Sequence, residues 1–159
     1  MFYFGFFLIM SVSSVVGYYI SKKFIARDLF LKDLISFFNL TKNNVEFKKL
    51  KFDELFMSYL KTYKGSFRKE FLFLERVVFG DVEAIENLCL LNQEEKFFLL
   101  NFLIGFGEIN DSMLLIEINK VLDWLILLEK KAYESRIKNV NVIYKISLSV
   151  GLIVFVLIV

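Results

Sequence analysis

The 159-residue chain has no histidine, no proline and a single cysteine, Cys89. Without histidine the commonest metal ligand and general base is missing, and no Glu-x-x-His metal motif can exist. One cysteine excludes an internal disulfide and a cysteine-based metal cluster; its expected role is that of a small core residue. With no proline, nothing forbids long unbroken helices. Charge is missing too, but only at the ends. No Asp, Glu, Lys or Arg occurs from Met1 to Ile20 or from Ile146 to Val159. A soluble domain spreads its charges along the chain, so this segregation reads as two apolar ends around a water-exposed middle. The net charge of +2 is small and no dense basic stripe interleaves with aromatics, which argues against a nucleic-acid partner.

The uncharged stretch Phe2 to Ile20 extends roughly 28 Å as a helix, about the thickness of a bilayer's hydrocarbon core. A secretory signal peptide has a basic start, whereas here the basic residues Lys22, Lys23 and Arg27 follow the apolar run. The positive-inside rule then puts the N-terminus outside and Lys22 onward in the cytoplasm. Ser11, Ser13, Ser14 and Gly17 are small. They either admit a second helix at close range or bond back to their own preceding turn. The second apolar stretch, counted from Val142, extends roughly 27 Å, with Lys145 snorkelling and Tyr144 beside it at the interface. Lys130, Lys131, Arg136 and Lys138 precede it, so both ends give one topology and these four residues are candidates for contact with lipid headgroups.

The middle has helical spacing throughout and no sustained two-residue alternation, so the expected class is all-α. Phe30, Leu34, Ile35 and Phe38 mark a helix over about 24–40. Phe52, Leu55, Phe56, Tyr59, Leu60 and Tyr63 form one apolar face, and Phe67, Phe71, Leu74 and Val78 another, with Gly65 and Gly80 breaking the chain on either side. Asp81 is placed to cap a short helix, and Asn92-Gln93-Glu94-Glu95 has the form of a capping box. From about residue 112, Leu114, Ile118, Val121, Leu125, Leu128 and Ala132 recur in alternating steps of four and three. That seam serves a bundle or a dimer, and with no breaker after Ser112 the helix is expected to run into the second span. Trp124 reads as a bundle anchor, and 133–141, polar all round, as a stalk. The expected organisation is a transmembrane helix at 2–20, a cytoplasmic bundle of about five to six helices at 21–141, and a second transmembrane helix at 142–159.

Chemistry is hard to find. Gly105-Phe106-Gly107 lacks the lysine and the preceding strand of a phosphate loop. Glu94 with Glu95, or Glu108 with Asp111, can be drawn as an acid–base pair, but a cap and a solvated face explain them more simply. The sequon Asn39-Leu40-Thr41 falls on the expected cytoplasmic side. No enzyme activity, cofactor or metal is expected.

The order of these features resembles the stage III sporulation protein AB family over nearly the whole chain. Gly17-Tyr18 ends the first span, Leu34-Ile35 sits in a basic-flanked helix, and Phe106-Gly107 precedes a capping polar residue. A long charged helix with Leu128-Glu129 then runs through Tyr144 into the terminal span. Two places differ from the family pattern, where Asn110 and Leu114 replace an aspartate and a glutamine. The resemblance implies a sporulation complex in the membrane between mother cell and forespore, with a soluble part similar to the F-domain of type II secretion platforms. It implies a scaffold that docks a cytoplasmic secretion-type ATPase and other membrane subunits, on the mother-cell side of the forespore outer membrane, and that is open to self-association. The expected contact surface is the turn holding Gly105, Gly107, Asn110 and Asp111, where paired glycines let another backbone approach. The competing expectation is a channel- or pore-forming transport subunit. Against it, neither span carries an ionisable residue apart from Lys145 at the edge.

Overall fold

A computed structural model describes residues 2–48, 52–105 and 111–158. In chain order the elements are α1 (Phe2–Lys48), α2 (Phe52–Thr62), α3 (Arg68–Val78), a 3₁₀ helix (Val82–Asn87), α4 (Gln93–Gly105) and α5 (Asp111–Ile158). No strand occurs among the described residues. The all-α expectation holds, and α5 is the single long helix expected from about residue 112.

α1 differs from expectation. In place of a span and a separate helix over 24–40, one helix of 47 residues runs from Phe2 to Lys48. Lys22 and Lys23 do not break the helix, because lysine is a good helix former and neither proline nor glycine intervenes. Both α1 and α5 are long and apolar enough to cross a membrane. The apolar end of neither is buried as a core helix would be. Phe7 is 69% exposed and Leu157 80%, and large apolar side chains stand outward along both apolar stretches.

The chain divides into two units, residues 1–29 with 129–159 and residues 30–128. The first is an antiparallel pair formed by the N-terminal part of α1 and the C-terminal part of α5. The second is a helical body built around aromatics. Its fully buried side chains include Phe30, Phe37, Phe38, Phe56 and Phe71, joined by Leu34, Leu74, Leu88, Leu99, Ile118 and Leu125. Phe37 meets the rings of Phe56 at 4.6 Å, Tyr59 at 4.9 Å and Phe71 at 5.8 Å, mostly edge to face, as ring quadrupoles favour. Every residue of the α5 seam, from Leu114 to Ala132, is buried.

Local chemistry sets the body's turns. α3 ends in a Schellman motif: Gly80 takes φ 99°, its N–H bonds the Val77 carbonyl at 3.0 Å, and the Asp81 N–H bonds that of Arg76 at 2.9 Å. Contrary to expectation, Asp81 does not cap the following helix with its side chain, because its carboxylate is taken by Arg76. The capping box forms as read. The Glu95 N–H donates to Asn92 Oδ1 at 2.8 Å, and the Asn92 N–H to Glu95 Oε2 at 2.9 Å. At α2's end the Tyr63 phenol folds over Gly65, where an added Cβ would lie 2.2 Å from the hydroxyl. That hydroxyl donates to Asp33 of α1 and accepts from the Phe67 N–H ahead of α3, tying three elements at one point. Cys89 is exposed, contrary to expectation, since the connection turns inward through Leu88 instead.

Candidate functional site

In the first unit the helices meet through small residues. A Cβ built on Gly17 would lie 2.7 Å from Ser147 Oγ and 3.1 Å from its Cβ; one built on Gly151 would meet Ser13 at the same two distances. Each helix thus offers a Ser-x-x-x-Gly step, and each glycine seats the other helix's serine. The contact is the small-xxx-small device by which helices approach in lipid, where apolar side chains gain nothing by leaving their solvent. Of the two readings of the serine run both hold, for different residues. Ser13 faces Gly151, while Ser11 bonds back to the Phe7 carbonyl at 2.7 Å. Toward the termini, the rings of Phe6 and Phe155 stand edge to face at 4.9 Å.

At the unit's opposite end the packing turns polar. Ser21 and Asp28 of α1 are fully buried. Arg136 of α5 donates to Asp28 Oδ2 at 2.6 Å with its own side chain 36% exposed. Asn139 donates to Ser135 at 2.8 Å beside it. The stretch 133–141 is therefore polar partly because it meets a polar counterpart on α1, and not as a free stalk. Removing Arg136 would take a charged hydrogen-bond donor from a buried carboxylate, which makes the pair sensitive to breakage.

Of the residues expected to touch lipid headgroups, Lys130, Lys131 and Lys138 are exposed, whereas the guanidinium of Arg136 is engaged by Asp28. Of the expected partner-contact turn, Gly105 is the last residue of α4 and Asp111 the first of α5, while Gly107 and Asn110 lie outside the described residues. Glu95, drawn above as one half of an acid–base pair, is buried in the capping box. Glu108 lies outside the described residues. Among the described residues no group of three or more acidic, cysteine or histidine side chains is placed to hold a metal ion.

The body's most unusual surface is on α4, which sequence reading passed over. From Phe97 to Ile104 its only polar residue is Asn101. A helix apolar all round is normally buried all round. Here Leu99, Phe102 and Leu103 are buried, yet Phe97 is 67% exposed and Ile104 54%. Phe98 is accounted for, since it stacks on Trp124 at 4.3 Å. Beside Phe97 lies an open hollow of about 410 Å³ lined by Ile85, Glu86, Gln93, Glu94, Lys96 and Leu100. The Lys96 ammonium is drawn into its wall and donates to the Glu86 carbonyl at 2.8 Å and carboxylate at 3.1 Å. Hydrogen bonds from Lys96 and then Gln93 hold the Glu86 carboxyl below its ordinary pKa. Elsewhere in the body, burial, reinforced by the charge of Asp33, pushes Tyr59 up to about 12. Burial and the hydrogen bond to Asp33 raise Tyr63 further.

The sequence matches the family described as stage III sporulation protein AB over residues 3–159. The chain belongs to that family. No curated protein and no solved structure matches it. The family is one of sporulation stage III, and the two long apolar helices of this member fit a membrane protein.

Proposed function

We propose that this family member is a non-enzymatic membrane platform. Its two spans hold a helical body on the cytoplasmic side, and the body docks a secretion-type ATPase and links it to other membrane subunits of a secretion-like complex between mother cell and forespore. The observation that carries the reading is the hairpin itself. Gly17 against Ser147 and Gly151 against Ser13 bring the spans into direct contact, leaving no lumen between them. An anchor is compatible with that arrangement, whereas a conduction path between the two spans of one chain has no room in it. The exposed lysines Lys130, Lys131 and Lys138 suit an anionic leaflet, each contributing about 1 kcal/mol near the surface.

The test is binding of a purified secretion-type ATPase of the same organism to the full-length protein in lipid nanodiscs. Binding at micromolar concentration is the expected result, and none at that concentration counts against the platform. Ion flux through liposomes holding the protein alone would favour the transport subunit instead. Cys89, exposed and alone, reports the topology. A membrane-impermeant maleimide should label it only after the cells are opened.

A further inference from the structure

We infer that the outer face of α4, with the hollow beside it, is the docking surface for a basic amphipathic helix of a protein partner. The inference rests on the platform reading and names the surface through which it works. Two independent features meet there. The first is apolar: Phe97 and Ile104, seven residues apart and so on one face of the helix, are exposed, with half-buried Leu100 between them. An apposed helix presenting aliphatic side chains at three- and four-residue spacing would bury this row and fill the hollow. Phe97 would be its main anchor, since large aromatics are enriched among the residues that carry binding energy at interfaces.

The second feature is charge. Three charged side chains line the hollow, and the one cation among them, Lys96, is buried against Glu86. Lys96 neutralises Glu86, so the net negative charge of the rim is that of exposed Glu94. Negative charge around an apolar row repels an anionic lipid surface and attracts lysine or arginine flanking a partner's apolar face. The occupant is therefore a basic amphipathic helix and not the membrane.

The test uses the full-length protein in nanodiscs with the secretion-type ATPase as the probe. Phe97→Ala should weaken binding about thirtyfold, the loss typical of a hot-spot aromatic. Glu94→Lys should weaken it about tenfold and flatten its salt dependence. Leu72→Ala, at an exposed apolar position on α3, should change it less than twofold. Glu94 is chosen over Glu86 because Glu86 also holds Lys96. Equal thermal melting of the variants would show that the fold is intact. Wild-type affinity in both the Phe97 and Glu94 variants overturns the docking surface and leaves the platform reading standing. Failure of the wild-type protein to bind the ATPase instead removes the platform reading. A photo-reactive phenylalanine at position 97, used in sporulating cells, then decides the surface alone. Crosslinking to a basic helical segment of another protein supports it, while crosslinking to lipid or to a second copy overturns it.

Discussion

The hairpin and the body are held together by opposite means. In the body, bulky rings fill space: Phe37 alone meets Phe38, Phe56, Tyr59 and Phe71 within 6 Å between ring centres. In the hairpin the decisive contacts are made by residues with almost no side chain, Gly17 and Gly151, and by the Arg136–Asp28 ion pair. The contrast follows from solvent. Water drives large apolar surfaces together, so the body gains most from phenylalanine. Lipid exerts no such drive, so the hairpin gains from close backbone approach and from polar groups that find each other.

The two regions should therefore respond differently to the same kind of change. The largest effect belongs to the body. Phe37→Ala should lower its stability by about 3–5 kcal/mol, measured by chemical denaturation in detergent, and leave the hairpin contacts in place. Next comes Arg136→Met, which takes the guanidinium away from buried Asp28 and should destabilise by about 3 kcal/mol. The double replacement Asp28→Leu with Arg136→Met should recover most of that loss, since a well-packed apolar pair often equals a buried ion pair. Gly17→Leu ranks third. It forces the helices apart at Ser147 and should weaken hairpin association by about 1–3 kcal/mol, with the body's melting unchanged. In the body this gain of volume at a core position would be no novelty; in the hairpin a single methyl already meets a serine.

The smallest effect is Tyr63→Phe. Losing the hydrogen bond to Asp33 should destabilise the body by about 1 kcal/mol. The same site gives a pH signature. Tyr59 and Tyr63 hold their protons more tightly in the folded body than in the unfolded chain, whose tyrosines ionise near 10. Their contribution is complete below that value and is lost as pH rises from about 10 toward 12 and beyond. The body should therefore lose stability in alkali, and Tyr63→Phe should lose less of it.

Much of this was legible in sequence where a single local rule decides. The α5 seam, the Asn92–Glu95 capping box and the glycine stops at Gly65 and Gly80 each depend on residues close in the chain. Features that depend on a distant partner were not. The continuity of α1 was hidden because Lys22 and Lys23 look like an ending, and because the reason Asp28 is polar lies more than a hundred residues away, on α5. Arg136 read as a headgroup contact for the same reason. Phe37 fell outside the four-and-three stripe of its helix, since α1 in the body is covered on a wider face than one stripe. The exposed row on α4 was invisible because an apolar run reads as buried wherever it occurs. Only the structure shows which side of it has been left uncovered.

The central claim, that the two apolar ends pack on each other as an antiparallel hairpin, can be tested by one crosslink. In a Cys89→Ala background, Ser13→Cys is combined with Gly151→Cys, and the full-length protein is oxidised in its native membrane. Built at Gly151, a Cβ would lie 3.1 Å from that of Ser13, close enough for a disulfide after slight relaxation. The account predicts a rapid bond within one chain, seen as a faster-migrating monomer, and none for the outward-facing pair Val12→Cys with Val150→Cys. Crosslinked dimers from the first pair, or equal reaction of both, would contradict it.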